Sequence, residues 1–207
     1  ETILSRQGNG RVIHILNGGK ANLQDLTIRD GNLPEALGNG AGILNEGGDL
    51  SLYRCAVQDN TTSGVGPDSR GGGIYSVDGN LVIEYSSIVN NRANNSNGGG
   101  IHVLNGSVLI NLSTISGNYA AGSGGGARIV VAPSESLIAN STIVSNKSEG
   151  QGGGINISGN VTLIGNILAL NESDGDIASS DCAGNQVLEG YNLIGIGCFF
   201  NPPPKVT

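Results

Sequence analysis

Counted backward from a recurring Asn, the apolar residues of this chain fall into fixed columns. The Asn stands at 60, 91, 118, 146 and 171. Three positions before it lie Val57, Ile88, Ile115, Ile143 and Leu168, and eight before it lie Leu52, Ile83, Ile110, Ile138 and Leu163. Ten before it lie Leu50, Leu81, Val108, Ser136 and Val161. An earlier copy carries Ala21, Leu23 and Ile28 at the same offsets and closes on Gly31 in place of Asn. Apolar residues two apart predict short strands with one buried face, and no i, i+3, i+4 helical spacing competes with them.

Glycine marks the start of each copy. Triplets stand at Gly71-Gly72-Gly73, Gly98-Gly99-Gly100, Gly124-Gly125-Gly126 and Gly152-Gly153-Gly154, with a degenerate copy at Gly40-Ala41-Gly42. From 40 to 71, 98, 124 and 152 the steps are 31, 27, 26 and 28 residues. The ten-residue block before each Asn never varies in length, whereas the gap from Asn to the next triplet does. Rigid blocks joined at one variable corner predict a parallel β-helix, with two or three strands in each of about six coils. The expected coils are 11–37, 38–70, 71–97, 98–123, 124–151 and 152–190, within a single domain over 1–198. A Pro-rich tail, 199–207, follows.

In such a solenoid the copies of one position stack about 4.8 Å apart, so Ile packs on Ile from coil to coil. Asn60, Asn91, Asn118, Asn146 and Asn171 are expected to form a hydrogen-bonded ladder, each in the αL conformation at a corner. The Gly triplets supply φ > 0 at another corner. They are not a phosphate loop, because no Lys-Ser/Thr and no helix follows them.

Composition sharpens the picture. Gly accounts for 36 of 207 residues and only 13% are charged, yet Ile, Leu and Val are spread evenly, which argues for an ordered chain. A net charge of −7 and a pI near 4.6 argue against nucleic acid as a partner. No apolar run has the length needed for membrane insertion. Glu1 opens the chain without a basic-then-apolar leader, so any export signal is expected to have been removed or to lie outside it.

The repeated Gly-Gly-Gly-Ile…Ser-Thr-Ile-x-x-Asn pattern (Ser113-Thr114-Ile115 with Asn118, Ser141-Thr142-Ile143 with Asn146) resembles right-handed β-helix repeat proteins of bacterial surfaces. These include polymorphic outer-membrane-protein-like and adhesin-like passenger domains. The ending Asp181-Cys182-Ala183-Gly184…Gly190-Tyr191-Asn192-Leu193-Ile194-Gly195…Cys198 is similar to segments that close such arrays. The resemblance covers roughly residues 11 to 198. It implies a right-handed solenoid, export and a secreted or cell-surface setting. Because this architecture hosts lyases, adhesins, tailspikes and stalks alike, it implies little about activity. In an oxidising setting Cys182 and Cys198, which lie beyond the last regular copy, are expected to pair and staple the open end. Cys55 shares its column with Leu26, Ser86, Ser113, Ser141 and Asn166 and is expected to be a buried, unreactive thiol.

Candidate chemistry is sparse. His14 and His102 share a column with Leu44, Tyr75, Arg128 and Asn156, which strand alternation points outward. The two histidines are three coils, about 14 Å, apart and cannot share a metal. Tyr75, His102 and Arg128 form a candidate surface row for binding glycans. Asp174, Asp176 and Asp181 are a weak candidate loop for Ca²⁺, without EF-hand spacing. The remaining carboxylates (Asp49, Asp59, Asp68, Asp78, Glu84) do not stack over successive rungs, the nearest pair being Asp30 and Asp59. A lyase or glycosidase needs such a cluster. The sequence therefore predicts no cofactor and no catalytic residue, but an extracellular structural or adhesive module. Its candidate partners are a cell-surface glycan and further copies of itself, stacked head to tail through open ends and the tail. A carbohydrate-active enzyme of the β-helix type, or a glycan-binding module without catalysis, is the alternative.

Overall fold

The computed structural model describes residues 2–34, 38–64, 69–131 and 136–198. It is a parallel β-solenoid of about six turns. The tail at 199–207, with Phe199 and Phe200, lies outside the described residues, as does Asp68.

Each coil contains four strands rather than two or three. In the coil opened by Gly98 they are Ile101–Leu104, Val108–Asn111, Thr114–Ser116 and Tyr119–Ala120. Their equivalents stack into four parallel sheets, here numbered I to IV in that order, of seven, seven, eight and six strands. The eighth strand of sheet III is Thr2–Ser5, which pairs with Leu26–Arg29 ahead of the first full coil. The fourth strand of each coil is only two residues long, too short for periodicity to reveal.

Registers follow the columns. Ile88 pairs with Val57 on one side and Ile115 on the other, and Ile115 with Ile143. Ile83 lies between Leu52 and Ile110. These side chains are fully buried, as are Ile74 and Ile101 of sheet I. Full burial of one such side chain contributes about 1.5–3 kcal/mol, so stacking apolar columns supplies the main stabilisation. Inward positions of sheet IV hold small residues, Thr62, Ala93, Ala120 and Ser148, all fully buried.

The triplets earn their glycines in two ways. Gly98 has φ +70°, and the equivalent Gly71, Gly124 and Gly152 have +63°, +72° and +66°. Its neighbour Gly99 is excluded from carrying a side chain by packing, since a Cβ there would lie 2.3 Å from the carbonyl oxygen of Tyr119.

Cys182 and Cys198 are joined by a disulfide, with Cα atoms 5.0 Å apart, and Cys55 is free and buried. No helix among the described residues is long and apolar enough to cross a membrane.

Candidate functional site

The row of Tyr75, His102 and Arg128 exists, but it is not a surface. Tyr75 pairs with His102 and His102 with Arg128 in sheet I, and the Tyr75 and His102 rings pack with centroids 5.4 Å apart. Tyr75 is only 5% exposed and His102 only 3%, and Leu44 and Asn156 of the same column are also buried. The side chains do leave the barrel, but the corner before each strand folds back over them. A Cβ on Gly98 would lie 2.8 Å from the His102 Cβ, and Asn156 Nδ2 donates to the Gln151 carbonyl at 3.4 Å. The half-buried Arg128 donates to the Asn156 carbonyl at 3.3 Å. The glycan platform expected from alternation is therefore corrected to a buried stack. Among the column's histidines only His14 is exposed, where it contacts Glu46 at 2.7 Å.

Burial has a consequence for His102. Removal from water, followed by the charges of Arg70 and Arg128, depresses its pKa to about 3, against the opposing effect of a hydrogen bond to the Asn97 backbone. Its Nδ1 has no hydrogen-bond partner among the described residues. The unfolded chain takes up a proton on this residue near pH 6.5 while the folded chain does not until about pH 3. Acid thus favours unfolding throughout that window, by up to about 1.4 kcal/mol per pH unit. Urea unfolding at pH 7 and pH 5 should show the wild-type protein losing about 2 kcal/mol. His102→Phe should show much less of that loss. An equal loss in both proteins would contradict the buried, neutral His102.

The Asn column forms the expected ladder with an unexpected backbone. Asn91 Nδ2 donates to Asn118 Oδ1 at 3.0 Å and to the Val57 carbonyl at 2.9 Å. Its backbone N–H also donates to Asn118 Oδ1, at 2.9 Å. Asn60, Asn118 and Asn146 repeat the arrangement toward Asn91, Asn146 and Asn171. None of the five Asn residues is in αL. That conformation belongs to the residue before each: Asp59, Asn90, Gly117, Ser145 and Leu170, with φ between +55° (Asn90) and +66° (Gly117). The preceding residue turns the chain so that the Asn side chain points inward, where its amide has partners only along the axis.

Asp181 ends this ladder. It is 3% exposed; its Oδ1 accepts from Asn171 N at 3.0 Å and Asn171 Nδ2 at 2.8 Å, and its Oδ2 accepts from Ile196 N at 2.5 Å. Every rung donates toward the next coil. At the end Asp181 receives both Asn171 bonds on one oxygen and the Ile196 N–H on the other, so both of its oxygens accept, as those of a carboxylate do. The Ca²⁺ loop is thereby corrected. Asp181 is held in the ladder, Asp176 accepts from Ala178 N to cap the 3₁₀ turn Ile177–Ser179, and Asp174 pairs with Lys147 at 3.1 Å. The three carboxylates do not converge, and among the described residues no group of three His, Cys, Asp or Glu is placed to hold a metal.

A second ladder escaped sequence reading. Cys55 N donates to Ser86 Oγ at 3.0 Å, Ser86 N to Ser113 Oγ at 3.1 Å and Ser113 N to Ser141 Oγ at 3.2 Å. Ser141 N then donates to Asn166 Oδ1 at 2.9 Å, and Asn166 N to Asn192 Oδ1 at 3.0 Å. The signal was present as a column of small polar residues at an inward position, where an apolar core has no use for hydroxyls. Here too the preceding residue is in αL: Arg54, Tyr85, Leu112, Asn140 and Gly165.

Outside this second corner lies an open groove of about 650 Å³, lined among others by Asp25, Arg54, Tyr85, Leu112, Ser87 and Thr114. Arg54 holds Asp25 through two bonds, Nε to Oδ1 at 2.6 Å and Nη2 to Oδ2 at 2.8 Å. That contact brings the Asp25 pKa down to about 2. The Arg54 guanidinium lies 4.6 Å over the Tyr53 ring, and Tyr53 meets Tyr85 edge to face at 5.3 Å. Tyr85 remains 52% exposed and Leu112 44%. Comparison of the chain with protein-family models, with curated proteins and with solved structures found no match.

Proposed function

We propose that this chain is a non-catalytic structural or adhesive module of an extracellular protein, part of a bacterial surface protein or fibre. The observation that carries the reading is the pair of continuous polar ladders along the solenoid axis. One runs from Asn60 to Asp181 and the other from Cys55 to Asn192. They commit the buried amides, hydroxyls and the Asp181 carboxylate to holding one coil on the next, which suits a rod that bears load. The Cys182–Cys198 bridge supports an oxidising compartment, and the bacterial setting rests on the repeat pattern. At the last coil, Leu193 is 65% exposed and Ile196 51%, beside strand edges that another segment or copy would cover. Incubation with a panel of acidic and neutral polysaccharides, followed by detection of reducing ends and of unsaturated products, should give no turnover. Turnover that disappears when a single carboxylate is replaced would overturn the proposal.

A further inference from the structure

The geometry points to the groove beside Tyr85 as a binding site for an uncharged glycan. Its rim is built from successive copies of one corner position, Asp25, Arg54, Tyr85 and Leu112, all with φ between +49° and +53°. An αL corner is most easily made by Gly, Asn or Asp, and the next two copies of this corner are Asn140 and Gly165. Arg54, Tyr85 and Leu112 instead put large side chains where the backbone disfavours them. Strain of this kind persists where the surrounding structure holds it, and it clusters at ligand sites.

What these residues add is a surface of particular chemistry. Tyr85 and Leu112 present apolar area to water, suited to the C–H face of a sugar ring. Ser87 and Thr114, on the strands that follow the corner, add hydroxyls to the groove wall. The paired Asp25 and Arg54 form a fixed set of donors and acceptors whose charges cancel. From Asp25 to Leu112 the rim spans three rung spacings, about 14 Å, which accommodates a chain rather than a single ring. The one cation among the groove's lining residues, Arg54, is already paired with Asp25, so the groove offers no free positive charge to a uronate or sulfated sugar and favours a neutral saccharide.

The test is an ¹⁵N-¹H NMR titration of the whole protein. The probes are cello-, malto-, manno- and xylo-oligosaccharides, with an oligogalacturonate as the acidic control. At least one neutral series should shift amides at 25–27, 54–56, 85–87 and 112–114. Tyr85→Asn should weaken that binding at least about tenfold. The same substitution should leave the urea midpoint at or above the wild-type value, because Asn accepts αL more readily than Tyr. Leu112→Asn carries the same two expectations and serves if the Tyr85 variant does not fold. Tyr191→Asn, at a tyrosine 97% exposed outside the groove, should bind as the wild type does. Absence of shifts with every neutral series, binding that survives both groove variants, or binding of the oligogalacturonate alone would overturn the assignment. None of these results bears on turnover, so the groove and the non-catalytic reading stand or fall separately.

Discussion

Ile115→Asp should leave the protein without a cooperative unfolding transition. Ile115 is fully buried in sheet III, between Ile88 and Ile143. The substitution removes about 1.5–3 kcal/mol of apolar burial. It also places a carboxyl group between two methyl-rich rungs without a partner, a penalty of several kcal/mol whether the group stays charged or takes up a proton. Folded domains have only about 5–15 kcal/mol of stability in all. In a solenoid the damage also falls at one interface of a linear array, so it uncouples the coils on either side. Ile115→Val, which deletes one methylene, should cost about 1 kcal/mol and preserve the transition. Circular dichroism with urea titration reads both. An Asp variant unfolding at the wild-type midpoint would mean that position 115 does not face the interior.

The second large effect is expected at Asp181, which the sequence marks as the first residue of the closing segment and as a weak Ca²⁺ candidate but not as a ladder rung. Asp181→Ala removes the acceptor for Asn171 N, Asn171 Nδ2 and Ile196 N together. Asn171 Nδ2 keeps its bonds to the Ile143 and Ala169 carbonyls, but the backbone N–H of Asn171 is left unpaired in a buried site and that of Ile196 in a partly buried one. At about 1–3 kcal/mol for a stranded buried donor, and less for the partly buried one, the loss should reach about 2–4 kcal/mol. Asp181→Asn is the sharper variant because it keeps the shape. One oxygen can still serve Asn171, but the amide nitrogen then meets the N–H of Ile196, donor against donor. It should therefore remain well below wild type in stability, and hydrogen exchange should show the amides around 193–198 opening first. Wild-type stability in the Asn variant would remove Asp181 from its place as the ladder's last acceptor. The adjacent Cys182–Cys198 bridge keeps the closing segment nearby in either variant, so the measurement reports the hydrogen bonds rather than loss of the segment.

Much of the fold was legible because a solenoid repeats its constraints. A residue facing the interior meets its own copy above and below, so the column of Ile28, Val57, Ile88, Ile115, Ile143 and Leu168 must stay apolar in every coil, and counting finds it. The Asn ladder is equally legible, since an amide can both donate to and accept from an identical neighbour. The fourth strand was not, because Tyr119–Ala120 and its equivalents have two residues each and show no alternation.

The sites were less legible, for reasons visible at particular residues. Alternation correctly sent Tyr75 and His102 out of the barrel, but it carries no information about what lies over the outer face of a sheet. There the corners before the strands, residues such as Asn97 and Gln151, decide exposure, and their spacing from the preceding Asn varies between coils. The αL residues were misassigned by one position: after Gly, Asn is the residue that most readily adopts αL, yet here Asn supplies the inward amide and Asp59, Ser145 or Leu170 makes the turn. The period, the apolar columns and the Asn ladder were thus determined by the sequence alone, because each rests on residues repeated in register. The pairing of Cys182 with Cys198 was expected from the two cysteines that follow the last regular copy of the sequence pattern. The burial of His102, the role of Asp181 and the groove at Tyr85 were decided only by the tertiary structure, because each depends on segments from different coils meeting at a point that no period describes.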